Sequence, residues 1–282
     1  MSICPRRFAL LLIMLGGLPS AHAAAVQPGD LLVADPDANA ILALDAQAGT
    51  AETIFAGSPL LFPTGIASAA DGRFFVADPV ANAIFVLTLG EGPPQIVSSD
   101  GMLEYPSGVA LLDDGDLLVA DPDANLLVRI DPDTGVQSVE LDLAAEGFLY
   151  PTDLAIDASG DYRIADPDAN GVFLFDVQLQ SVALQSGDGL FEYPSGVTLD
   201  GADLVVGDPD LNAIVRVANE IGAQTIDHEG LPLLYANGLA LASVAIQVPS
   251  LPLVAILALM LLVLAYAELR RPTAVSVTPS RG

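Results

Sequence analysis

One short acidic motif occurs five times along this chain at an almost constant interval. The copies are VADPDAN at 33–39, VADPVAN at 76–82, VADPDAN at 119–125, IADPDAN at 164–170 and VGDPDLN at 206–212. The Asp before each Pro falls at 35, 78, 121, 166 and 208, which gives steps of 43, 43, 45 and 42 residues. A fixed period of this length indicates a solenoid, a propeller or a similar array of repeats.

A second landmark keeps the same interval. It reads FPTG at 62–65, YPSG at 105–108, YPTD at 150–153, YPSG at 193–196 and YANG at 235–238. Five copies of each landmark predict five structural units. Helical solenoids of similar period need apolar stripes with a 3.6-residue spacing, and the units show none.

Each unit contains four short segments with the length and turn boundaries of β-strands. In the unit from 105 to 147 these are GVALL at 108–112, DLLVA at 116–120, NLLVRID at 125–131 and VQSVELD at 136–142. Gly, Asp and Pro residues separate them, as expected for tight turns. Four antiparallel strands in each unit predict the blade of a β-propeller.

The phase of the landmarks predicts how the ring closes. The first unit starts at a second strand, GDLLVADP, whereas YANGLALAS at 235–243 supplies a first strand with no partner after it. Pairing these two segments completes one blade and removes two free sheet edges. The sequence therefore predicts an all-β, five-bladed β-propeller over residues 26–243, closed by one C-terminal strand and three N-terminal strands.

The two ends of the chain have a different character. Residues 1–25 carry Arg6 and Arg7, an apolar run and then Ala21-His22-Ala23, the order of a secretory signal peptide cut after Ala23. A membrane anchor is the alternative, although the apolar run is short for a span. Cys4 would leave with the peptide, so the mature chain would have no cysteine.

The C-terminal part predicts a membrane anchor. A linker at 244–250 precedes an apolar segment at 251–269, which is long enough for one transmembrane helix. Arg270 and Arg271 follow it, and the positive-inside rule then places the short tail at 270–282 in the cytoplasm. The propeller would lie outside the cytoplasm, in the periplasm or at the cell surface. A buried helix of the soluble domain is the alternative.

Charge limits the partners of the predicted propeller. Residues 26–243 contain 35 acidic side chains and only four basic ones, all of them Arg. This balance excludes nucleic acid as a partner. Divalent cations, cationic ligands and high-salt solvent remain, and so does a plain solvated acidic surface.

The repeat resembles a known family. The order P-x-G-[VI]-A, then a G-x-hydrophobic-x-V-A-D segment, then N-x-I, is similar to the NHL repeat and to the wider gluconolactonase and senescence-marker propellers. Five units replace the six that are usual in that group. The resemblance implies a ligand site at the channel mouth where the innermost strands begin, at Thr64, Ser107, Thr152, Asp153, Ser195 and Asn237.

The same resemblance implies a calcium-dependent hydrolase site. In those relatives a divalent ion is held by an Asn in x-N-G, an Asp in P-D-G and a Glu near the N-terminus. Asn237 in Ala-Asn-Gly matches the first, whereas Asp153 in Pro-Thr-Asp comes one residue late. The motif GEGP at 90–93 matches the third by letters, but it falls in the connection between a third and a fourth strand.

The tail resembles a second kind of signal. VPSLP, the apolar segment and Arg270-Arg271 are similar to the C-terminal sorting signals of the PEP-CTERM type, which a membrane protease recognises. The acidic residue between the prolines is missing, and eleven residues follow the arginines. A permanent anchor is therefore the preferred interpretation.

Two interpretations of the repeated acidic corner stay open. Alternating Asp and Asn resemble the first half of a calcium loop. The candidate ligands of Ca²⁺ are Asp35, Asp37, Asn39, Asp121, Asp123, Asn125, Asp166, Asp168 and Asn170. Alternatively, Asp binds backbone N–H groups, Pro presets φ and Asn adopts a left-handed conformation, so that the motif only turns the chain.

Other catalytic constellations lack essential residues. His228, the single histidine after residue 22, falls in a predicted outermost strand, far from the hub, which disfavours a Ser-His-acid triad. No Lys is available for Schiff-base chemistry. Tyr105, Tyr150 and Tyr193 are expected to pack between blades or to stack on a ligand. The leading hypothesis is a non-enzymatic binding or scaffold module for a protein or small ligand, and the alternative is a calcium-dependent lactonase or esterase.

Overall fold

The structure, a computed structural model, describes residues 25–45, 50–218, 222–229, 237–243 and 246–247. All of these residues belong to one compact unit, Ala24–Val248. The signal peptide predicted at 1–25, apart from residue 25, and the helix and tail predicted at 251–282 lie outside the described residues. No helix in the described part of the chain is long and apolar enough to span a membrane.

Five four-stranded antiparallel sheets form the fold, as the two landmarks predict. We call them blades 1 to 5 and number the strands in chain order, after a short N-terminal strand β1 (Ala25–Val26). From the innermost strand outward, blade 1 contains β21 (Gly238–Leu241), β2 (Leu31–Asp35), β3 (Ala40–Asp45) and β4 (Thr50–Ala56). Blade 2 contains β5 (Gly65–Ser68), β6 (Arg73–Asp78), β7 (Ala83–Thr88) and β8 (Gln95–Ser99).

The remaining blades repeat this order. Blade 3 contains β9 (Gly108–Leu111), β10 (Leu117–Asp121), β11 (Leu126–Ile130) and β12 (Gln137–Asp142). Blade 4 contains β13 (Asp153–Ile156), β14 (Tyr162–Asp166), β15 (Gly171–Asp176) and β16 (Ser181–Gly187). Blade 5 contains β17 (Gly196–Asp200), β18 (Asp203–Asp208), β19 (Ala213–Val217) and β20 (Gln224–Glu229).

The predicted ring closure is confirmed. Strand β21 pairs antiparallel with β2, and the register joins Leu31 to Leu241 and Val33 to Leu239. Blade 1 is thus built from one C-terminal strand and three N-terminal strands. Because this pairing satisfies the inner edge of β2, blade 1 has the same four-stranded order as the other blades.

Apolar residues fill the spaces between neighbouring blades. Five separate clusters of buried side chains are present, and each one draws its members from two adjacent blades. Phe74 of blade 2 packs with Leu32 of blade 1 on one side, and Phe75 packs with Leu117 of blade 3 on the other. The second strands are buried on both faces, which explains their continuous apolar runs such as LLVAD.

The two ends of the ring differ in the turns they carry. We call one end the corner face: it carries the turns between second and third strands, which contain the D-P-x-x-N motif, and the loops that enter the innermost strands. The opposite face carries the turns between first and second strands and between third and fourth strands. Each motif Asn has a positive φ, for example 47° at Asn39 and 55° at Asn125, as the turn interpretation predicts.

Two small elements were not predicted from the sequence. One turn of helix, α1 (Leu143–Glu146), follows blade 3 and begins where the Asp142 side chain accepts a hydrogen bond from Ala145 N. Strand β1 pairs with β22 (Ile246–Gln247) in a separate two-stranded sheet. Both strands are two residues long, which is too short for a periodic pattern to be visible in the sequence.

Candidate functional site

The first Asp of each corner is buried, and in blades 2 to 5 it holds two loops together. The Oδ1 atom of Asp121 accepts a hydrogen bond from Ala124 N at 3.0 Å, which closes the turn. Its Oδ2 atom accepts from Glu104 N at 2.8 Å and from Tyr105 N at 3.0 Å. Asp78, Asp166 and Asp208 make the same pair of contacts in their blades. The carboxylate therefore fastens the corner to the loop that enters the innermost strand of the same blade.

The Asn of the corner connects it to the next blade. The Nδ2 atom of Asn39 donates to Leu60 O at 3.1 Å, and that of Asn82 donates to Leu103 O at the same distance. Leu60 and Leu103 lie in the loops that enter the following blades. Asn is suited to this position because its side chain can bond while its backbone adopts a left-handed conformation.

The candidate calcium ligands are divided between buried and exposed positions. The first Asp of each corner is fully buried, whereas Asp37, Asp123 and Asp168 at the tips are exposed. Within the part of the chain that the structure describes, no group of three or more His, Cys, Asp or Glu side chains is arranged to hold a metal ion. Calcium binding at the corners stays a prediction, which titration with CaCl2 can test.

The landmark glycines form the centre of the hub. Gly65, Gly108, Gly196 and Gly238 each lie against the backbone of the next innermost strand. A Cβ atom would lie 2.4 Å from Ser107 O if added to Gly65, and 2.2 Å from Thr64 O if added to Gly238. Since real Cβ atoms do not approach so closely, only glycine fits at these positions. The innermost strands are in backbone contact at this end of the channel.

Asp153 occupies the fifth position of this glycine ring. Its side chain is buried inside the hub, and its Oδ2 atom accepts a hydrogen bond from Val197 N of blade 5 at 2.9 Å. Burial raises the pKa of Asp153 well above its usual value, while hydrogen bonds from Val197, Leu154 and Leu239 N–H groups act in the opposite direction. Asp153, which comes one residue late in the sequence motif, is therefore a buried polar residue among the five innermost strands.

The other predicted channel-mouth residues are brought together at the same end of the hub and are buried. Thr64 Oγ1 donates to Ser107 O at 2.9 Å, and Thr152 Oγ1 donates to Ser195 O at 2.8 Å, so these hydroxyls join neighbouring blades. Ser195 and Asn237 are 1% and 8% exposed, yet the Oγ of Ser195 and the Oδ1 of Asn237 have no hydrogen-bond partner. This end of the hub thus contains unsatisfied acceptor atoms around Asp153.

We expect Asp153→Asn to change how stability depends on pH. Because the pKa of Asp153 is raised in the folded state, folded protein keeps a proton that the unfolded chain releases above about pH 4. The stability of the wild type should therefore fall as pH rises from there through the folded-state pKa, by up to about 1.4 kcal/mol per pH unit. The variant lacks this contribution, so its unfolding free energy should decline less over the same range.

Urea denaturation of both proteins at a series of pH values from 4 to 8 measures the difference. All other carboxylates titrate in both proteins, so the difference isolates residue 153. Parallel stability curves would contradict a raised folded-state pKa.

Below the glycine ring the channel widens toward the opposite face. A cavity of about 210 Å³ is lined there by the residues that follow the ring in all five innermost strands, among them Ile66, Val109, Leu154, Val197 and Leu239. Its walls carry Ser68 and Thr198 and otherwise apolar side chains. The cavity contains no ionisable side chain among its lining residues.

Two further sequence predictions are confirmed at the periphery. His228 lies in the outermost strand of blade 5, far from the hub. Residues 90–93 lie between the third and fourth strands of blade 2, out of phase with the channel. His228 also borders a cleft of about 260 Å³ at the junction of blades 5 and 1, where Arg216 contacts Asp200 and Asp227.

The tyrosines of the second landmark lie on the corner face among carboxylates. Tyr105, Tyr150 and Tyr193 are half-buried, and the hydroxyl of Tyr150 donates to Asp123 Oδ1 at 3.3 Å. Burial and then nearby carboxylates raise the pKa of each, with Asp123 acting on Tyr105 and Tyr150. The three phenols are also close enough to influence one another. We call these three side chains the aromatic group.

The arginines of the propeller all lie toward the opposite face. Arg73, Arg129, Arg163 and Arg216 form ion pairs with Asp residues in or beside the turns between first and second strands. Asp116 is one partner of Arg129, at 2.6 Å from Nε. The corner face therefore carries carboxylates without any arginine of residues 26–243.

Comparison with known proteins supports the fold. No protein-family model matches the sequence, and no curated protein matches it. A chain from the crystal structure of a nidogen/laminin complex superposes with a TM-score of 0.58 at 16% identity, covering 78% of this chain and 98% of its own. An X-ray structure named as a gluconolactonase superposes with a TM-score of 0.52 at 14% identity, covering 80% and 87%.

A streptogramin B lyase structure also matches, with a TM-score of 0.48 at 17% identity, covering 79% of this chain and 74% of that one. At 14–16% identity, the first two similarities show a shared fold alone.

Proposed function

We propose that this protein is a non-enzymatic binding or scaffold module, a five-bladed propeller held at a membrane outside the cytoplasm. Support for its location comes from the sequence: a signal peptide at 1–25, an apolar segment at 251–269 and the following Arg270 and Arg271. Its ligand is a protein or a small molecule. The membrane is its second partner, through the C-terminal segment.

The proposal rests on one observation, namely that the hub is filled at the corner face. Catalysis requires side chains that a substrate can reach. At the corner face the hub is filled: its glycines touch backbone, Thr64 and Thr152 hydroxyls bond to carbonyl groups of the next blade, and Asp153 accepts from Val197 N. The accessible surface on this side consists of the tyrosines, the Asp residues at the corner tips and the neighbouring loops. Such a surface is suited to binding.

A calcium-dependent lactonase or esterase is the second candidate. It is supported by one specific observation, that Asp153 and Asn237 lie at the same end of the hub and that the Oδ1 atom of Asn237 has no hydrogen-bond partner. Such a site would need at least one more oxygen ligand. It would also need an opening in the glycine ring through which a lactone could approach.

An activity assay on the purified full-length protein separates the two candidates. We expect no hydrolysis of aliphatic lactones or aryl esters above the buffer rate, with calcium or with a chelator, and no difference for Asp153→Asn or Asn237→Ala. Calcium-dependent turnover that both substitutions abolish would establish the hydrolase instead. A rise in melting temperature with CaCl2, without turnover, would indicate a structural ion.

A further inference from the structure

The corner face is strongly acidic, and none of the four arginines in the described part of the chain lies on it. Asp37, Asp123, Asp168 and Asp210 are exposed at the tips of four corners, and Val80 replaces the acid in the remaining corner. Glu104 and Glu192 are exposed in the loops beside them. The arginines that could balance this charge are paired near the opposite face. A field of one sign over one face attracts a partner of the other sign.

Aromatic rings lie among these carboxylates. Tyr105, Tyr150 and Tyr193 are half-buried, so part of each ring is available to a partner. Aromatic rings attract ammonium and guanidinium groups to their π-faces, and carboxylates next to the rings add charge-assisted hydrogen bonds. Rings and carboxylates that share a surface, as Tyr150 and Asp123 do, are complementary to organic cations rather than to bare metal ions.

Exposed apolar side chains extend the same surface. Leu61 and Leu149 precede the aromatic residues of two landmarks and are 52% and 60% exposed, and Val80 at its corner tip is 60% exposed. A small cation would leave these side chains in water. Interfaces between proteins combine aromatic and apolar residues at their core with a polar rim, so the partner that fits this surface is a polypeptide.

Unsatisfied acceptors lie beneath the aromatic group. Ser195 follows Tyr193 by two residues and is buried, yet its Oγ atom has no hydrogen-bond partner, and Asn237 Oδ1 is in the same situation. Oxygen atoms without donors add negative potential under the corner face. This observation is independent of the exposed acids and has the same sign.

We propose that the corner face binds a basic protein segment, in which Arg or Lys side chains contact the tyrosines and tip carboxylates while apolar residues cover Leu61, Leu149 and Val80. This inference rests on the proposed binding function and names the partner's chemistry. Anionic lipid surfaces and nucleic acids are repelled by the same charges.

Binding of labelled peptides to the full-length protein tests the proposal. The probes are a short peptide of alternating Arg and Leu, the same peptide with Glu in place of Arg, and spermine as a small cation. The test variant carries Asp37→Asn, Asp123→Asn, Asp168→Asn and Asp210→Asn. A matched control variant removes four exposed charges away from the corner face, with Glu52→Gln, Glu91→Gln, Asp113→Asn and Asp133→Asn.

We expect the Arg-Leu peptide to bind the wild type and the control variant with similar affinity, and the test variant about tenfold or more weakly. Tyr150→Phe should retain binding, and Tyr150→Leu should weaken it, because only Phe keeps a π-face. Melting curves confirm that each variant is folded.

Three results would overturn the proposal. Equal weakening in the test and control variants would mean that net charge alone attracts the peptide. Tighter binding of spermine, with loss in the test variant, would assign the face to small cations. No binding of any probe would refute the basic partner while leaving the proposed function to its own test, since calcium-dependent lactone turnover is a separate measurement.

Discussion

Gly238→Ala should destabilise the propeller by about 3 kcal/mol or more. An added Cβ atom would lie 2.2 Å from Thr64 O and 2.5 Å from Gly65 Cα, and neither backbone can move without separating blades 1 and 2. For a domain of this size the melting temperature should fall by about 6–12 °C. Thermal unfolding of the two proteins, followed by far-ultraviolet circular dichroism, measures the effect.

Gly29→Ala is the matched control for this substitution. Gly29 has a φ of 91° and nothing lies within 4 Å of an added Cβ, so the cost is backbone strain alone, about 1–2 kcal/mol. A loss at Gly238 no larger than the loss at Gly29 would mean that the innermost strands are not in backbone contact. Because Gly238 also lies in the closing strand, the result reports on the hub and on ring closure together.

Asp121→Ala should cost about 3 kcal/mol of unfolding free energy, because it removes a fully buried carboxylate and leaves three partly buried N–H groups without their acceptor. These donors belong to Ala124, Glu104 and Tyr105. The loss should appear without any calcium in the buffer, as expected for a residue whose role is to fix two loops. Urea denaturation in the presence of a chelator measures it.

Asp123→Ala, two residues along the same corner, is the control. Its side chain is exposed and accepts a hydrogen bond from the Tyr150 hydroxyl at the surface, so we expect a change within about 0.5 kcal/mol. Similar losses at both positions that disappear on adding a chelator would contradict this division of roles and would favour an ion bound between the two carboxylates.

Blade number and ring closure could be predicted from the sequence because both depend on the spacing of residues along the chain. The pairing of Leu31 with Leu241 follows from the phase of two landmarks, and the left-handed Asn39 follows from the conformational preference of Asn. The roles of the corner Asp residues were left open between an ion and a turn. Backbone N–H groups from distant loops, such as Glu104 N for Asp121, cannot be identified before the loops are placed.

The buried position of Asp153 at the hub could not be predicted from the sequence. The departure of Asp153 from the glycine pattern is visible in the letters PTD, but its consequence depends on how closely five strands approach one another. That distance is a property of the closed ring, as the contact of Gly108 with Asp153 Cα shows. The surroundings of the tyrosines have the same origin, since Tyr150 and Asp123 belong to different blades and meet only in the folded ring.

The pairing of β21 with β2 joins a strand that is synthesised late to one that is synthesised early. Ribosomes add residues from the N-terminus, so blades 2 to 5 can be complete while Leu31–Asp35 still presents an unpaired inner edge. An interrupted nascent chain would keep that edge, which is open to aggregation and to proteolysis. The ring can therefore close only after Gly238–Leu241 has been synthesised.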